Sequence, residues 1–305
     1  MKTTVTSGWI GTVALGVSLA LWATPAQANH ISTCSQACAV NCATAGYTEP
    51  LCQTAVNGDC IVEDDVTCTS SDTGVGLYQG TDLVFERGKK LLCPTNNCNS
   101  AVTIKGAAST ITTELSGVGT SLGGTDGGFN WTINCGGWND SVVDRIQVSG
   151  GIIGVINCET VTDNIIERYD RAYLTVNRGI TWTQKVNSGS GADRAAGNLI
   201  RDKVWAITAG GVGTKVLVED NNIMTSAFNA VVFLKDSSAV WNAVRDNNIH
   251  GSGDANYSNF FYGTDPVIFS GPSTGATATN LCSIDDHPGC TACVSAATCT
   301  DYVPK

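Results

Sequence analysis

The sequence predicts an all-β solenoid with disulfide-rich ends, and three observations carry that prediction. Short segments recur 23 and 26 residues apart, turn formers including 34 glycines are interleaved with Val and Ile runs, and 14 cysteines gather mostly toward the two ends. Stacked repeats account for all three. One repeat cannot bury its apolar side alone, whereas a pile of repeats shares a continuous core.

The recurrences are specific. Ile133-Asn134-Cys135 returns as Ile156-Asn157-Cys158, and Asp220-Asn221-Asn222-Ile223 returns as Asp246-Asn247-Asn248-Ile249, preceded by Val218-Glu219 and Val244-Arg245. Val216 and Val218 alternate with Leu217 and Glu219, the period of a strand with one buried face. Residues 151–156 and 231–234 are apolar runs of strand length. Recurring Asn has its own reason, because a carboxamide both donates and accepts, so identical side chains bond up a stack as a ladder. Asn222 over Asn248 is the preferred pair, with Asn221 over Asn247 the alternative. The absence of a regular L-x-x-L-x-L pattern excludes leucine-rich repeats, and propeller blades of roughly 40 residues are too long. A β-sandwich also has short strands at such spacings. It gives no reason for Asp-Asn-Asn-Ile to recur with its flanks.

Three regions follow. Residues 1–28 read as an export signal: Lys2, an uncharged stretch from Gly8 to Ala23, Pro25, then Ala26-Gln27-Ala28, the small-x-small pattern cut after Ala28. No later apolar run approaches the ~20 residues that cross a bilayer. Residues 29–99 form a Cys-rich N-terminal cap, residues 100–280 the repeating body and residues 281–305 a Cys-rich C-terminal cap. All the cysteines follow the cleavage point, in even groups. Cys34, Cys38, Cys42, Cys52, Cys60, Cys68, Cys93 and Cys98 lie in the first region, Cys135 and Cys158 in the body, and Cys282, Cys290, Cys293 and Cys299 in the tail. In an exported chain such numbers read as a disulfide framework. Cys34, Cys38 and Cys42 are four apart, a spacing that lines sulfurs along one helix face. Cys135 and Cys158 sit one repeat apart, where strand spacing suits either a bridge or a stack of thiols. Cys290-Thr291-Ala292-Cys293, near His287, reads as structural rather than as a redox or zinc motif.

The formal charge of −10, or −11 once the signal is removed, excludes nucleic acid as a partner, because phosphate binding relies on clustered Lys and Arg. It is equally poor for anionic lipid. The place of action is the outside of the cell, the periplasm or the envelope.

The two segments 218–223 and 244–249 resemble coils of the right-handed parallel β-helix superfamily, the fold of pectate lyases. The resemblance spans roughly residues 100 to 280 and implies a groove suited to an extended carbohydrate chain. The Asn-Thr-Asp, Asp-Asp and Gly-His-Gly set of polygalacturonases is missing, as is the Asp-Pro-His-Glu signature of alginate epimerases. Within the repeats, Asp220 stacks over Asp246 and Glu219 over Arg245, with His250 following. Paired carboxylates repel and raise one pKa toward that of a general acid, or share calcium, a hard ion that takes oxygen ligands. Asp220, Asp246, Arg245, Glu219 and His250 are therefore the catalytic candidates, and Asp220 and Asp246 the candidate calcium ligands. As an enzyme the chain would be a polysaccharide lyase or glycoside hydrolase. The rival reading is a non-catalytic extracellular or envelope scaffold or adhesion protein, in which Asp-Asn-Asn is turn composition and Glu219–Arg245 a cross-strand pair. Trp131, Trp138, Trp182, Trp205 and Trp241 are either sugar platforms or core. N-terminal sequencing of the exported protein is expected to start at Asn29; a product retaining Lys2 refutes the cleavage reading.

Overall fold

The computed structural model describes residues 29–48, 50–69, 73–114, 121–167, 177–189, 191–201, 203, 205–210, 215–225, 231–233, 241–251, 267–269, 275–278 and 281–282. Every regular element among them is a β-strand. The predicted signal and the predicted bridges of Cys290, Cys293 and Cys299 lie outside these residues, and only the backbone of Cys282 lies inside.

Two parallel sheets organise the chain. One has nine strands, Asp59–Val62, Asp82–Phe85, Thr110–Thr113, Val142–Asp144, Thr160–Thr162, Asp193–Ala196, Lys215–Glu219, Trp241–Arg245 and Gly275–Ala278, each pairing with the next in that order. The other has seventeen strands in two ladders, joined through the long strands Lys90–Ile104 and Gly124–Asn134. From Asp59 onward the chain visits the nine-stranded sheet, then the first ladder, then the second, and returns. Parallel pairing thus begins well before residue 100.

Register follows from burial. On the nine-stranded sheet Leu83, Ile111, Val143, Val161, Ala195 and Val218 stand in one column. The first ladder aligns Leu91, Thr125, Val148, Ile166, Ile200 and Ile223. The second aligns Val102, Ile133, Val155, Ile180 and Ile207. All these side chains are buried, and the apolar ones form a single cluster. Each buried Val or Ile contributes about 1.5–3 kcal/mol, and a one-residue slip would turn its strand's column outward.

The tight turn from the nine-stranded sheet into the first ladder carries a polar spine. Arg145, Asp163, Asp220 and Asp246 take φ values of 52–55°, and Gly197 takes 69° at the same place in its repeat. Each of Asp163, Gly197, Asp220 and Asp246 is followed by a buried Asn: Asn164, Asn198, Asn221 and Asn247. The Asn164 amide donates to Asn198 Oδ1 at 3.0 Å, Asn198 to Asn221 Oδ1 at 2.9 Å, and Asn221 to Asn247 Oδ1 at 2.9 Å. Each remaining amide proton goes to a backbone carbonyl, such as Asn198 to Val161 O at 2.9 Å. The ladder therefore runs through Asn221 and Asn247, correcting the preference for Asn222 and Asn248. Those two are aligned strand residues of the first ladder. The left-handed aspartate turns the next side chain back into the bend.

Among the described residues five disulfides are formed. Cys34–Cys68, Cys38–Cys60 and Cys42–Cys52 tie the N-terminal segment, Cys93–Cys98 spans the register shift in Lys90–Ile104, and Cys135–Cys158 joins adjacent repeats with Cα atoms 4.9 Å apart. The expected helix through Cys34, Cys38 and Cys42 is not there: Cys38 lies in the strand Ala37–Ala39. Parallel pairing of that strand with Cys52–Thr54 and Val75–Leu77 wins over a marginal four-residue spacing. The Ile-Asn-Cys triplets are neighbours offset by one residue, since Ile133 pairs with Val155 and Asn134 with Ile156.

Asn198→Ala should remove the acceptor for Asn164 and the donor for Asn221, costing about 3–5 kcal/mol in urea unfolding. Asn222→Ala should cost at most about 1 kcal/mol. Equal losses would show that the ladder does not hold the turn.

Candidate functional site

The residues singled out in the recurring segments separate into three places. Glu219 and Arg245 are aligned on the nine-stranded sheet. Asp220 and Asp246 are exposed residues of the left-handed turns beside them. His250 belongs to the first ladder, its Cα paired with Met224, and its side chain lies outside the described residues.

Glu219 is buried between two guanidinium groups. Arg194 Nε donates to Oε1 at 2.8 Å, while Arg245 donates to Oε2 through Nε at 2.9 Å and Nη2 at 2.6 Å. Burial pushes the Glu219 carboxyl up, but the hydrogen bonds from Arg245 and Arg194 outweigh it and hold the group below its ordinary value. With both oxygens occupied, Glu219 is suited to bracing three successive strands and poorly suited to proton transfer. Asp220 and Asp246 offer two carboxylates, short of the ~6–8 oxygens that calcium takes. Among the described residues no three His, Cys, Asp or Glu side chains are grouped as a metal ion would require.

A different constellation assembles on the first ladder. Aligned across successive strands are Asp126, Ser149, Glu167 and Arg201, with Lys90 and Gln147 two positions earlier in their strands. Glu167 accepts from Gln147 Nε2 at 2.6 Å, Ser149 Oγ at 2.9 Å and Arg201 Nε at 2.6 Å. Burial pushes Glu167 up, but the bonds from Arg201, Gln147 and Ser149 prevail and keep its pKa lowered. Asp126 is displaced the other way. Burial raises it, Lys90 opposes with its Nζ 3.7 Å from Oδ2, and the Glu167 charge adds to the rise. Asp126 Oδ1 is buried without a hydrogen-bond partner. Two carboxylates driven apart in pKa by their surroundings are the arrangement in which one donates a proton while the other stays anionic.

Next to this row, across the short connections containing Gly127-Gly128 and Gly150-Gly151, the second ladder aligns Ser100, Trp131, Ile153, Arg178 and Trp205. Gly127 has a φ of 105°, and a Cβ there would lie 2.2 Å from the Cys93 carbonyl, so only glycine lets the chain turn this closely. Trp131 is 48% exposed. The Arg178 guanidinium lies 5.0 Å from the Trp205 ring centroid, within cation–π range. Trp182, by contrast, is core, its Nε1 donating to Cys158 O at 2.7 Å, and the Trp241 side chain lies outside the described residues.

Sequence reasoning missed the Asp126–Glu167 row because its members share no motif and lie far apart in the chain. One signal was present: each flanks a buried column residue, Lys90 beside Leu91, Asp126 beside Thr125, Glu167 beside Ile166 and Arg201 beside Ile200. No family model matches the chain, and no curated protein and no solved structure matches it.

A further perturbed carboxylate, Asp193, is an anchor. It is fully buried, and its two oxygens accept from the Val186 N–H at 3.0 Å and the Asn187 N–H at 2.6 Å. Burial, against those bonds, pushes its pKa up to about 6. The unfolded value is ~3.9. The folded state therefore holds the proton more tightly, and the group's stabilising contribution, complete at low pH, is lost as pH rises from about 4 through about 6. Asp193→Asn should flatten the fall in urea midpoint over that interval and lower stability at neutral pH, where an amide NH2 would face one N–H donor. An unaltered slope refutes the assignment.

Proposed function

We propose that this chain is an exported right-handed parallel β-helix protein, of pectate-lyase-like fold, that binds an extended polysaccharide along the face shared by its two joined ladders. The three-strand order that repeats through the chain and the large buried cluster its apolar columns form support the β-helix. The five disulfides support an oxidising compartment, and no helix among the described residues is long and apolar enough to cross a membrane.

The observation that carries the reading is the pair of parallel rows. Trp131, Arg178 and Trp205 offer flat faces in register with Asp126, Ser149, Glu167 and Arg201, which offer hydrogen bonds. Both rows advance by one strand spacing, ~4.8 Å, per repeat. A polymer with alternating apolar faces and hydroxyl edges matches such a strip. Cleavage by hydrolysis would use Asp126 to protonate the departing glycosidic oxygen, with water adding its hydroxyl to the anomeric carbon and returning its proton to Asp126, while the Glu167 anion stabilises the positive charge developing there. The rival reading, a protease-resistant scaffold, draws on the disulfides and the continuous core alone.

A polysaccharide array with reducing-end and unsaturated-product assays tests this. Trp131→Ala should weaken retention about three- to tenfold, the size of one lost stacking contact. Asp126→Asn should retain binding and abolish any turnover. Retention of no polysaccharide leaves the scaffold reading.

A further inference from the structure

Away from that face, Tyr47, Tyr78 and Lys105 meet at the ends of segments near the N-terminus, and Trp138 lines a cavity with Tyr78 and Lys105. Tyr78 follows the strand Val75–Leu77 and Lys105 follows Lys90–Ile104, whose ends are aligned through Leu77 and Ile104. Trp138 closes the turn after Cys135, its N–H donating to Cys135 O at 3.1 Å. Tyr47 closes the turn after Cys42, its N–H donating to Cys42 O at 2.9 Å. The Cys42–Cys52 and Cys135–Cys158 bridges hold these turns in place.

The rings of Tyr47 and Tyr78 meet edge to face with centroids 5.6 Å apart. Lys105 Nζ lies 5.9 and 5.5 Å from the two centroids and donates to Tyr47 Oη at 3.4 Å. The Lys105 stem lies close over Gly76, where a Cβ would be 3.4 Å from its Cε. The lysine separates two cavities of about 190 and 450 Å³. The larger is walled by Trp138, Tyr78, Val40, Asn41 and Gln79, with Trp138 44% exposed.

Lys105 Nζ donates to Tyr47 Oη, and the Tyr47 and Tyr78 hydroxyls share a hydrogen bond. One phenolic O–H of the pair and two further N–H groups of Lys105 remain as donors. The protein has 27 acidic against 17 basic residues, yet Lys105 contacts tyrosines where a carboxylate would be the ordinary partner. A cation and a phenol left as donors, beside an exposed indole, describe a receptor for an anion attached to a flat ring.

We propose that Lys105, Tyr47, Tyr78 and Trp138 form a binding site for a ring-bearing carboxylate, the ring against Trp138 and the carboxylate accepting from Lys105 and Tyr47. Two sources share that chemistry, a sugar acid at the end of a glycan and a small aromatic acid. The site is separate from the Trp131 row and does not depend on the polysaccharide reading.

Calorimetry on the mature chain, with a uronic-acid trisaccharide and with 4-hydroxybenzoate, each beside its methyl ester, tests the proposal. At least one acid should bind, its ester roughly tenfold or more weakly, as loss of a charge-assisted hydrogen bond implies. Lys105→Met should bring acid and ester level, Lys105→Arg should restore the difference, and Tyr47→Phe, which keeps the ring, should weaken the acid alone. Binding of only the trisaccharide assigns the site to an acidic glycan, and of only the benzoate to an aromatic acid. Neither acid binding, equal binding of acid and ester, or indifference to both Lys105→Met and Tyr47→Phe overturns it. Loss on Trp131→Ala with Lys105→Met unaffected places binding on the other face and also overturns it.

Discussion

Parallel register holds this protein together. Each strand buries its apolar residue only if the aligned residue of the next repeat is buried too. The Asn164–Asn198–Asn221–Asn247 ladder enforces that alignment at the turn. A carboxamide there has one arrangement that satisfies all its hydrogen-bonding groups, which is to face its counterpart above and below. A slipped register would strand these groups in a buried place, where each unsatisfied one costs about 1–3 kcal/mol. The apolar columns supply the stability, and the polar spine selects one register among those the columns tolerate.

Once register is set, surface chemistry follows from it. Asp126, Ser149, Glu167 and Arg201 come from four different strands and meet because Thr125, Val148, Ile166 and Ile200 share one buried column. The opposed displacement of Asp126 and Glu167 arises from their unequal supply of donors. Three side chains serve Glu167, whereas Asp126 has a lysine at 3.7 Å, the Gly127 N–H and one oxygen without a partner. The same logic separates Glu219 from a proton-transfer role, since Arg194 and Arg245 occupy both of its oxygens.

The recurring tetrads were legible as aligned repeats, and the structure pairs Lys215–Glu219 and Asn222–Thr225 with their counterparts 26 residues on. Cys135 and Cys158 were legible as neighbours and are bonded. The choice between Asn221 and Asn222 was not legible. It depends on the left-handed backbone at Asp220, which directs the next side chain inward. Asn164 and Asn198 escaped notice because Asp163 and Gly197 share a conformation without sharing a residue type. The helix expected through Cys34, Cys38 and Cys42 failed because strand pairing at Ala37–Ala39 is a long-range effect that local spacing does not report.

By itself the sequence determined the class of structure: short strands, repeats of uneven length, an even set of cysteines and an acidic surface. These are properties of composition and of recurrence along the chain. Tertiary structure alone decided which sulfurs join, which asparagines stack and which charges meet. Lys90 and Asp126, Glu167 and Arg201, or Tyr47 and Lys105 become neighbours only through hydrogen bonds between strands tens of residues apart, and connections of varying length hide that alignment from any fixed sequence interval.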